Sequence, residues 1–329
     1  MTYEHTNTTL DQIAEVISAH QRFAICGHVG PDGDCLGSQV ALAAALRQLG
    51  KDVTCLLAKP DPIDHSLRFL PGLDDFVVGA DYTETPEVFI AVDVPRADRL
   101  ETAEAVHART PVTITIDHHA TDASYSQYNY IVPESASATV LVWELAKLLN
   151  ATNQECAFGA LTGLITDTGR FAYQNTNPQA FVAAAEMQAA GASPADISRD
   201  FFQNRTVPSI KLEQRVIERM QLLCDGGFSF SYLTWSDFAE CGAIKADADP
   251  LIDTLRDIAG VRVALILRER DDGEVRGSLR AKDDTDVAAV ARCFDGGGHK
   301  AAAGLTYHGP LDKAREEVPA KVMEMCFGA

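Results

Sequence analysis

The chain has 329 residues, 46% of them hydrophobic and 23% charged, with a formal net charge of −19. That length and apolar content suit about two globular domains with substantial cores, so disorder is not the default. The acidic balance, with no basic block, excludes a grip on long nucleic acid through many phosphate contacts, and no apolar run approaches the ~20 residues of a membrane span.

Met1 to Gln12 is polar, with neither a basic start nor an apolar stretch, so no signal peptide is expected. The cysteines at 26, 35, 55, 156, 224, 241, 293 and 326 form no CxxC pair. Free thiols in a reducing cytoplasm follow, and tetrahedral zinc held by thiolates does not.

In chain order, the first half alternates strands and helices. Phe23 to Cys26 is a short apolar strand, Leu36 to Leu49 a helix, and Val53 to Leu57, Val88 to Val92 and Val112 to Ile116 are strands. Helical patterns follow at Ala138 to Leu149, Glu155 to Ile165 and Pro178 to Ala190. This order predicts an α/β fold, a mainly parallel sheet flanked by helices, with ligands at the carboxyl ends of its strands. Periodicity weakens between Gly191 and Pro208, which places the domain connection there. Ser209 to Leu223 then reads as a helix, Phe228, Phe230 and Tyr232 alternate as a strand, and so do Val261, Val263, Leu265 and Leu267. Asp271-Asp272-Gly273 reads as a hairpin turn into Val275 to Leu279, and helical stretches at Val287 to Phe294 and Leu311 to Met325 flank the glycine run Gly296 to Gly298.

Acidic and imidazole side chains gather where apolar strands end. Gly27-His28-Val29-Gly30-Pro31-Asp32-Gly33-Asp34 follows the first strand, and in an extended loop Asp32 and Asp34 project to one side. Alone, this segment reads equally well as a turn with a capping aspartate. Asp93 closes the strand Val88 to Val92, Asp117-His118-His119 closes Val112 to Ile116, and Asp167 lies where an apolar helix stops. Each has an ordinary reading as a turn former or solvated loop. The joint pattern decides, because three strand ends deliver only His and Asp to one rim of one sheet. Oxygen and imidazole donors without thiolates favour manganese or magnesium, and the carboxylates of Asp32, Asp34, Asp93 and Asp167 carry a charge that two divalent ions balance.

These motifs resemble the DHH phosphoesterase superfamily, with its His-x-x-Pro-Asp-x-Asp, strand-end Asp, Asp-His-His and later Asp. Gly277-Ser278-Leu279-Arg280 and Gly296-Gly297-Gly298-His299-Lys300-Ala301-Ala302-Ala303-Gly304 are similar to the companion DHHA1 domain. The resemblance implies a DHH catalytic domain at 1–190, a linker at 191–208 and a smaller α/β DHHA1 substrate-binding domain at 209–329, with the active site in the cleft between them. It implies that His28, Asp32 and Asp93 hold one divalent ion and that Asp34, Asp93, His118 and Asp167 hold the other, Mn2+ first, with Mg2+ or Co2+ as alternatives. Two ions bridged by Asp93 would activate a water and clamp phosphoryl oxygens. His119 would be a catalytic phosphate contact or proton donor, and Asp117 a residue that orients a histidine.

The glycine run reads by itself as a plain turn, or as the start of a short Ala-rich helix whose N–H groups bind an anion. With the resemblance, Arg280, Gly296, Gly297, Gly298 and His299 become the substrate-binding clamp. Phe171 and Tyr173 are expected in the core rather than stacked on a base. The chain's size points to the bacterial oligoribonuclease and pAp phosphatase branch, acting on short RNA oligonucleotides and on adenosine 3′,5′-bisphosphate (pAp). Hydrolysis of cyclic or linear dinucleotides is the alternative, and a non-catalytic metal or nucleotide sensor the alternative of another class. There is no room for the added domain of the long single-strand exonucleases, and the pyrophosphatase relatives lack the Gly-Gly-Gly-His run. A homodimer is implied by the resemblance alone.

Overall fold

Val88 to Val92 has no polar alternation, so it needs cover on both faces, and all five side chains are fully buried. Replacing Ile90 with Ala would cost about 2–5 kcal/mol. The computed structural model describes residues 5–61, 63–120 and 124–328. The chain divides into two units, Met1–Asn204 and Arg205–Ala329. No helix among the described residues is long and apolar enough to cross a membrane.

The first unit runs α1 (Leu10–Ala19), β1 (Arg22–Cys26), α2 (Gly33–Gln48), β2 (Asp52–Leu57), β3 (Val77–Val78), β4 (Val88–Val92), α3 (Glu104–Arg109), β5 (Val112–Asp117), β6 (Tyr128–Ile131), α4 (Ala138–Leu148), α5 (Gln154–Asp167), α6 (Pro178–Ala189) and α7 (Pro194–Phe202). Its six strands are parallel in the order β3-β2-β1-β4-β5-β6. On one face Phe23, Ile25, Ile90 and Ile114 pack with residues of α1, α2, α4 and α5. On the other, Ala24, Cys26, Phe89 and Ala91 pack with Leu100, Ala103 and Val106. The strand order reverses between β1 and β4, and the crevice outside the carboxyl ends of such a pair is where ligands lie in doubly wound sheets.

Glycines let α2 and α5 approach closely. A Cβ at Gly37 would stand 2.5 Å from the Gly159 carbonyl oxygen, one at Gly159 2.8 Å from the Gly37 oxygen, and one at Gly33 would collide with Thr166. The four-residue spacing of Gly33 and Gly37, and of Gly159 and Gly163, puts each pair on one helix face. That contact brings the first turn of α2 to the last turn of α5.

The second unit runs α8 (Val207–Glu218), β7 (Gln221–Leu223), β8 (Phe228–Leu233), α9 (Trp235–Cys241), α10 (Leu251–Arg256), β9 (Val263–Glu269), β10 (Val275–Ala281), α11 (Val287–Arg292), β11 (Gly297–His299), β12 (Ala302–Tyr307) and α12 (Leu311–Phe327). Its mixed sheet has the order β11-β12-β10-β9-β8-β7, parallel only between β8 and β9. Leu265, Leu267, Leu279 and Leu305 meet α11 and α12 on one face, while Ala264 and Ile266 meet α8, α9 and α10 on the other.

Several expectations are corrected here. The segment expected as a connection contains α7, capped by Ser193 and opened by Pro194, with Ile197 its one buried side chain. The helix expected to reach Leu223 stops at Glu218, and Gln221–Leu223 pairs with β8 instead. The segment after the glycine run is a strand, because Ala303 and Leu305 alternate inward with period two.

Candidate metal centre

The loop after β1 does not stay extended through Asp34. Asp32 is the N-cap of α2, its Oδ1 accepting from the backbone N–H of Asp34 at 3.1 Å and of Cys35 at 3.0 Å. Asp34 therefore stands in the first helical turn and is buried, while the Asp32 side chain remains 62% exposed. Asp32 is thus both the cap and a candidate ligand, since its Oδ2 lies 3.8 Å from His28 Nε2.

Asp93 follows β4 in the left-handed region, φ 59°, a conformation unusual for a residue with a side chain and typical of functional sites. Its N–H bonds the Ile116 carbonyl at 3.0 Å, which continues the pairing of β4 with β5 and turns the carboxylate into the crevice. One oxygen lies 3.5 Å from His28 Nε2, and the other 3.6 Å from His118 Nε2 and 3.4 Å from His119 Nδ1. His118 Nε2 is also 3.6 Å from Asp34 Oδ2 and 3.9 Å from Asp167 Oδ2. The structure thus brings together all six side chains expected to hold metal.

Their orientation is fixed from behind. His28 Nδ1 is 3.1 Å from the Val29 carbonyl and His118 Nδ1 is 3.2 Å from the Ser135 carbonyl. A carbonyl only accepts, so Nδ1 carries a hydrogen and Nε2 is the ring nitrogen turned toward the crevice. Asp34 accepts from the N–H groups of Ala138 at 2.6 Å and Thr139 at 2.9 Å, the first turn of α4, where the helix dipole also favours an anion. Gly163 on α5 leaves room for this, because a Cβ there would stand 2.7 Å from Asp34 Oδ1.

Asp117, the last residue of β5, is fully buried. Its Oδ1 accepts from the N–H of His118 at 2.7 Å, the N–H of His119 at 3.2 Å and His119 Nδ1 at 2.8 Å. Burial disfavours the Asp117 charge, but His119 and His118 outweigh it and hold the carboxyl below its usual range. Burial likewise opposes charge on His119, and Asp117 outweighs it, so its pKa is raised.

Burial, with the Asp32 and Asp93 carboxylates prevailing over His118, pushes the Asp167 carboxyl up to about 7. Burial and Asp93 raise Asp34 well above the carboxylate range. At His118 burial works against the charge, but Asp167, Asp34 and Asp93 win and push it up to about 10. Separations of 3.4–3.9 Å are longer than hydrogen bonds, and buried Asp93 Oδ1 makes no hydrogen bond at all. Three donor groups, Asp34-His118-Asp167, Asp93-Asp117-His119 and His28-Cys35-Asp93, each have ligand atoms within 4.8 Å of one another. The donor set fits divalent cations.

Sequence reasoning missed two contributors. Asn175 donates to Asp167 Oδ2 at 3.1 Å, and Cys35 places its thiol in the His28-Asp93 group, where burial foremost holds it neutral. Nothing in the sequence pattern marks Asn175, while Cys35 was visible beside Asp34. Of the two aromatics expected in the core, Phe171 is half-buried and Tyr173 is exposed. Phe171 stacks on Phe181 at 5.2 Å, and the Tyr173 ring fills the space beside Gly169.

In the second unit, Arg280 on β10 pairs in register with Ala302, which pairs with His299, so the two side chains stand in one row across three strands. Gly297 and Gly298 belong to exposed β11, not to a helix start, and Gly296 precedes it with its Cα against the Gly304 carbonyl. The anion site expected at a helix N-terminus is not formed. The run's N–H groups belong to an edge strand instead, with Gly298 at φ 138°.

The family model of the DHH family, N-terminal domain, matches residues 22–165, and that of the DHHA1 domain matches residues 230–324. A bifunctional oligoribonuclease and PAP phosphatase NrnA of Thermus thermophilus is 30% identical over 95% of this chain and 93% of its own length. The chain belongs to the DHH family. Another relative within it, the bifunctional oligoribonuclease and PAP phosphatase NrnA of Bacillus subtilis, is 24% identical over 90% of this chain and 93% of its own. Among solved structures, an exopolyphosphatase-related protein of Bacteroides fragilis superposes with a TM-score of 0.89 at 25% identity, covering 98% of each chain. The crevice of this DHH-family chain lies on the rim where its parallel sheet reverses order.

Proposed function

We propose that the chain is a cytoplasmic two-metal-ion phosphoesterase that hydrolyses very short oligoribonucleotides to mononucleotides and removes the 3′-phosphate of pAp. The observation that carries this reading is Asp93, buried and left-handed, with one oxygen toward His28 and the other toward His118. His28, Asp32 and Asp93 would hold one ion, and Asp34, Asp93, His118 and Asp167 the other. Mn2+ suits this mixed imidazole and carboxylate set, with Mg2+ and Co2+ next. When bound, the ions supply Lewis acidity toward phosphoryl oxygens and lower the pKa of an attacking water.

The chain's own groups do the rest. His119, kept protonated by Asp117, gives its proton to the leaving oxygen. Arg280 offers a planar fork to a phosphate, with His299 and the N–H groups of Gly296, Gly297 and Gly298 beside it. A net charge of −19 repels a long polyanion but leaves a substrate of a few nucleotides to the ions and this clamp. The DHH catalytic region is assigned to 1–190 and the substrate-binding region to 209–329, and the enzyme acts as a homodimer. The named activities of the Thermus thermophilus and Bacillus subtilis relatives support the substrate choice.

The test is turnover of pAp, a five-nucleotide RNA, linear and cyclic dinucleotides and pyrophosphate, with Mn2+ and with chelator. Metal-dependent release of phosphate from pAp and of mononucleotides from the RNA is expected. Activity confined to dinucleotides would move the enzyme to a different substrate class, and inactivity on all five would overturn the reading.

A further inference from the structure

Three of the four donors assigned to the second ion, Asp34 on α2, His118 just after β5 and Asp167 on α5, are tied together by one segment, the loop before α4 with the first turn of that helix. Between β6 and α4, the Ser135 carbonyl accepts from His118 Nδ1 at 3.2 Å, and the N–H groups of Ala138 and Thr139 hold Asp34 at 2.6 and 2.9 Å. Asp167 is linked to the same loop through Asn175. The Asn175 Nδ2 donates to Asp167 Oδ2 at 3.1 Å, to the Asp167 carbonyl at 3.1 Å and to the Ala136 carbonyl at 2.9 Å. The two carbonyl partners only accept, so turning the amide over would set oxygen against oxygen.

Asp167 is the donor that needs such a tie. Its side chain is 23% exposed, against 2% for Asp34 and 7% for His118, so packing alone does not hold it. The chain returns to it by a costly path. Gly169, Arg170 and Phe171 follow one another in the left-handed region, at φ 53°, 61° and 63°, and carry the backbone off the end of α5. Two non-glycine residues in that conformation are strained, which the surroundings must offset.

We propose that Asn175 is the positioning residue of the second ion, clamping Asp167 to the loop that also fixes His118 and Asp34. The inference rests on the two-ion reading above. Removing Asn175 leaves the first ion's donors, His28, Asp32 and Asp93, untouched. The affected quantity is therefore the affinity of one ion, by the 10–100-fold typical of partners that orient a ligand.

Calorimetric titration of Mn2+ into the metal-free full chain tests this, with Asn175→Ala, Asn175→Leu, which keeps the volume without the donor, and Asn177→Ala. Asn177 caps α6 and donates to the Glu134 carbonyl of the same loop, but touches no donor. Both Asn175 variants are expected to bind one ion as wild type does and the other about 10–100-fold more weakly, while Asn177→Ala lowers only the Tm. Wild-type affinity for both ions in the Asn175 variants, equal weakening of both ions, or second-ion weakening by Asn177→Ala would overturn the proposal. A wild-type chain that binds fewer than two ions would overturn the two-ion reading and this inference with it.

Discussion

In the first unit most of the donor side chains are sunk, while Asp32, 62% exposed, and Asp167, 23%, lie nearer the rim. Asp34 and Asp93 are 2% exposed and His118 7%, and a backbone group at their rear fixes Asp34 and His118. In the second unit the candidate clamp sits on strand residues exposed throughout β11 and on half-buried Arg280. The contrast follows from what each has to hold. A divalent ion requires donors preset within tenths of an ångström and a charge balance that burial makes costly to leave unmet. A phosphate group is met by a long guanidinium and by backbone N–H groups that adjust to it.

The largest expected effect breaks the braced half. Asp93→Ala should abolish turnover and strip metal from the protein, by more than the 10–100-fold typical of an outer partner, because one carboxylate serves both ions. Metal analysis with a rate measurement checks this, and full metal content with retained activity would sink the bridging assignment. Next, Gly163→Ala forces a Cβ to 2.7 Å from Asp34 Oδ1 and into Thr139. A loss of about 1–3 kcal/mol in stability is expected, with weaker metal binding, since α5 must move away from α2 and α4. Denaturant unfolding and metal titration read both. An unchanged midpoint would mean that the close crossing is not needed.

On the adjustable side, Arg280→Ala should leave metal content intact and raise KM about 10-fold or more, the worth of a charge-assisted hydrogen bond. Wild-type kinetics on every phosphorylated substrate would remove Arg280 from the clamp. The smallest effect is a pH dependence confined to the braced half. In the metal-free protein Asp167 is raised to about 7 and His118 to about 10. Raised pKa values mean that the folded state holds these protons more tightly. Their contribution to stability is therefore full below the unfolded values, about 4 and about 6.5, and is lost as pH climbs through about 7 and about 10. Tm of the chelated protein should fall between about pH 4 and 10, and Mn2+, which displaces the protons, should flatten the fall. A chelated protein with a level Tm over that range would contradict it.

Much of the first unit was legible because its strands are continuous apolar runs that stop at Asp or His, so Asp93 and Asp117-His118-His119 announce themselves. Short elements were not. β3 has two residues and β6, Tyr128–Ile131, alternates with polar side chains, so neither stands out from a loop. Asp32 and Asp34 were found for the right rim by the wrong geometry, since capping of α2 rather than an extended loop sets their directions. The spaced glycines of α2 and α5 were in plain view, but their meaning depends on which helices cross. Asn175 had no local signal, because its role comes from a contact made after the chain doubles back. In the second unit the glycine run suggested a helix start, whereas the inward Ala303 and Leu305 carried the period of a strand.

The most direct test of the central claim is an anomalous difference map from crystals grown with Mn2+. Two peaks about 3.5–4 Å apart on either side of Asp93 are expected, one against His28 and Asp32, the other against Asp34, His118 and Asp167. A single peak, or two that do not share Asp93, would contradict the account.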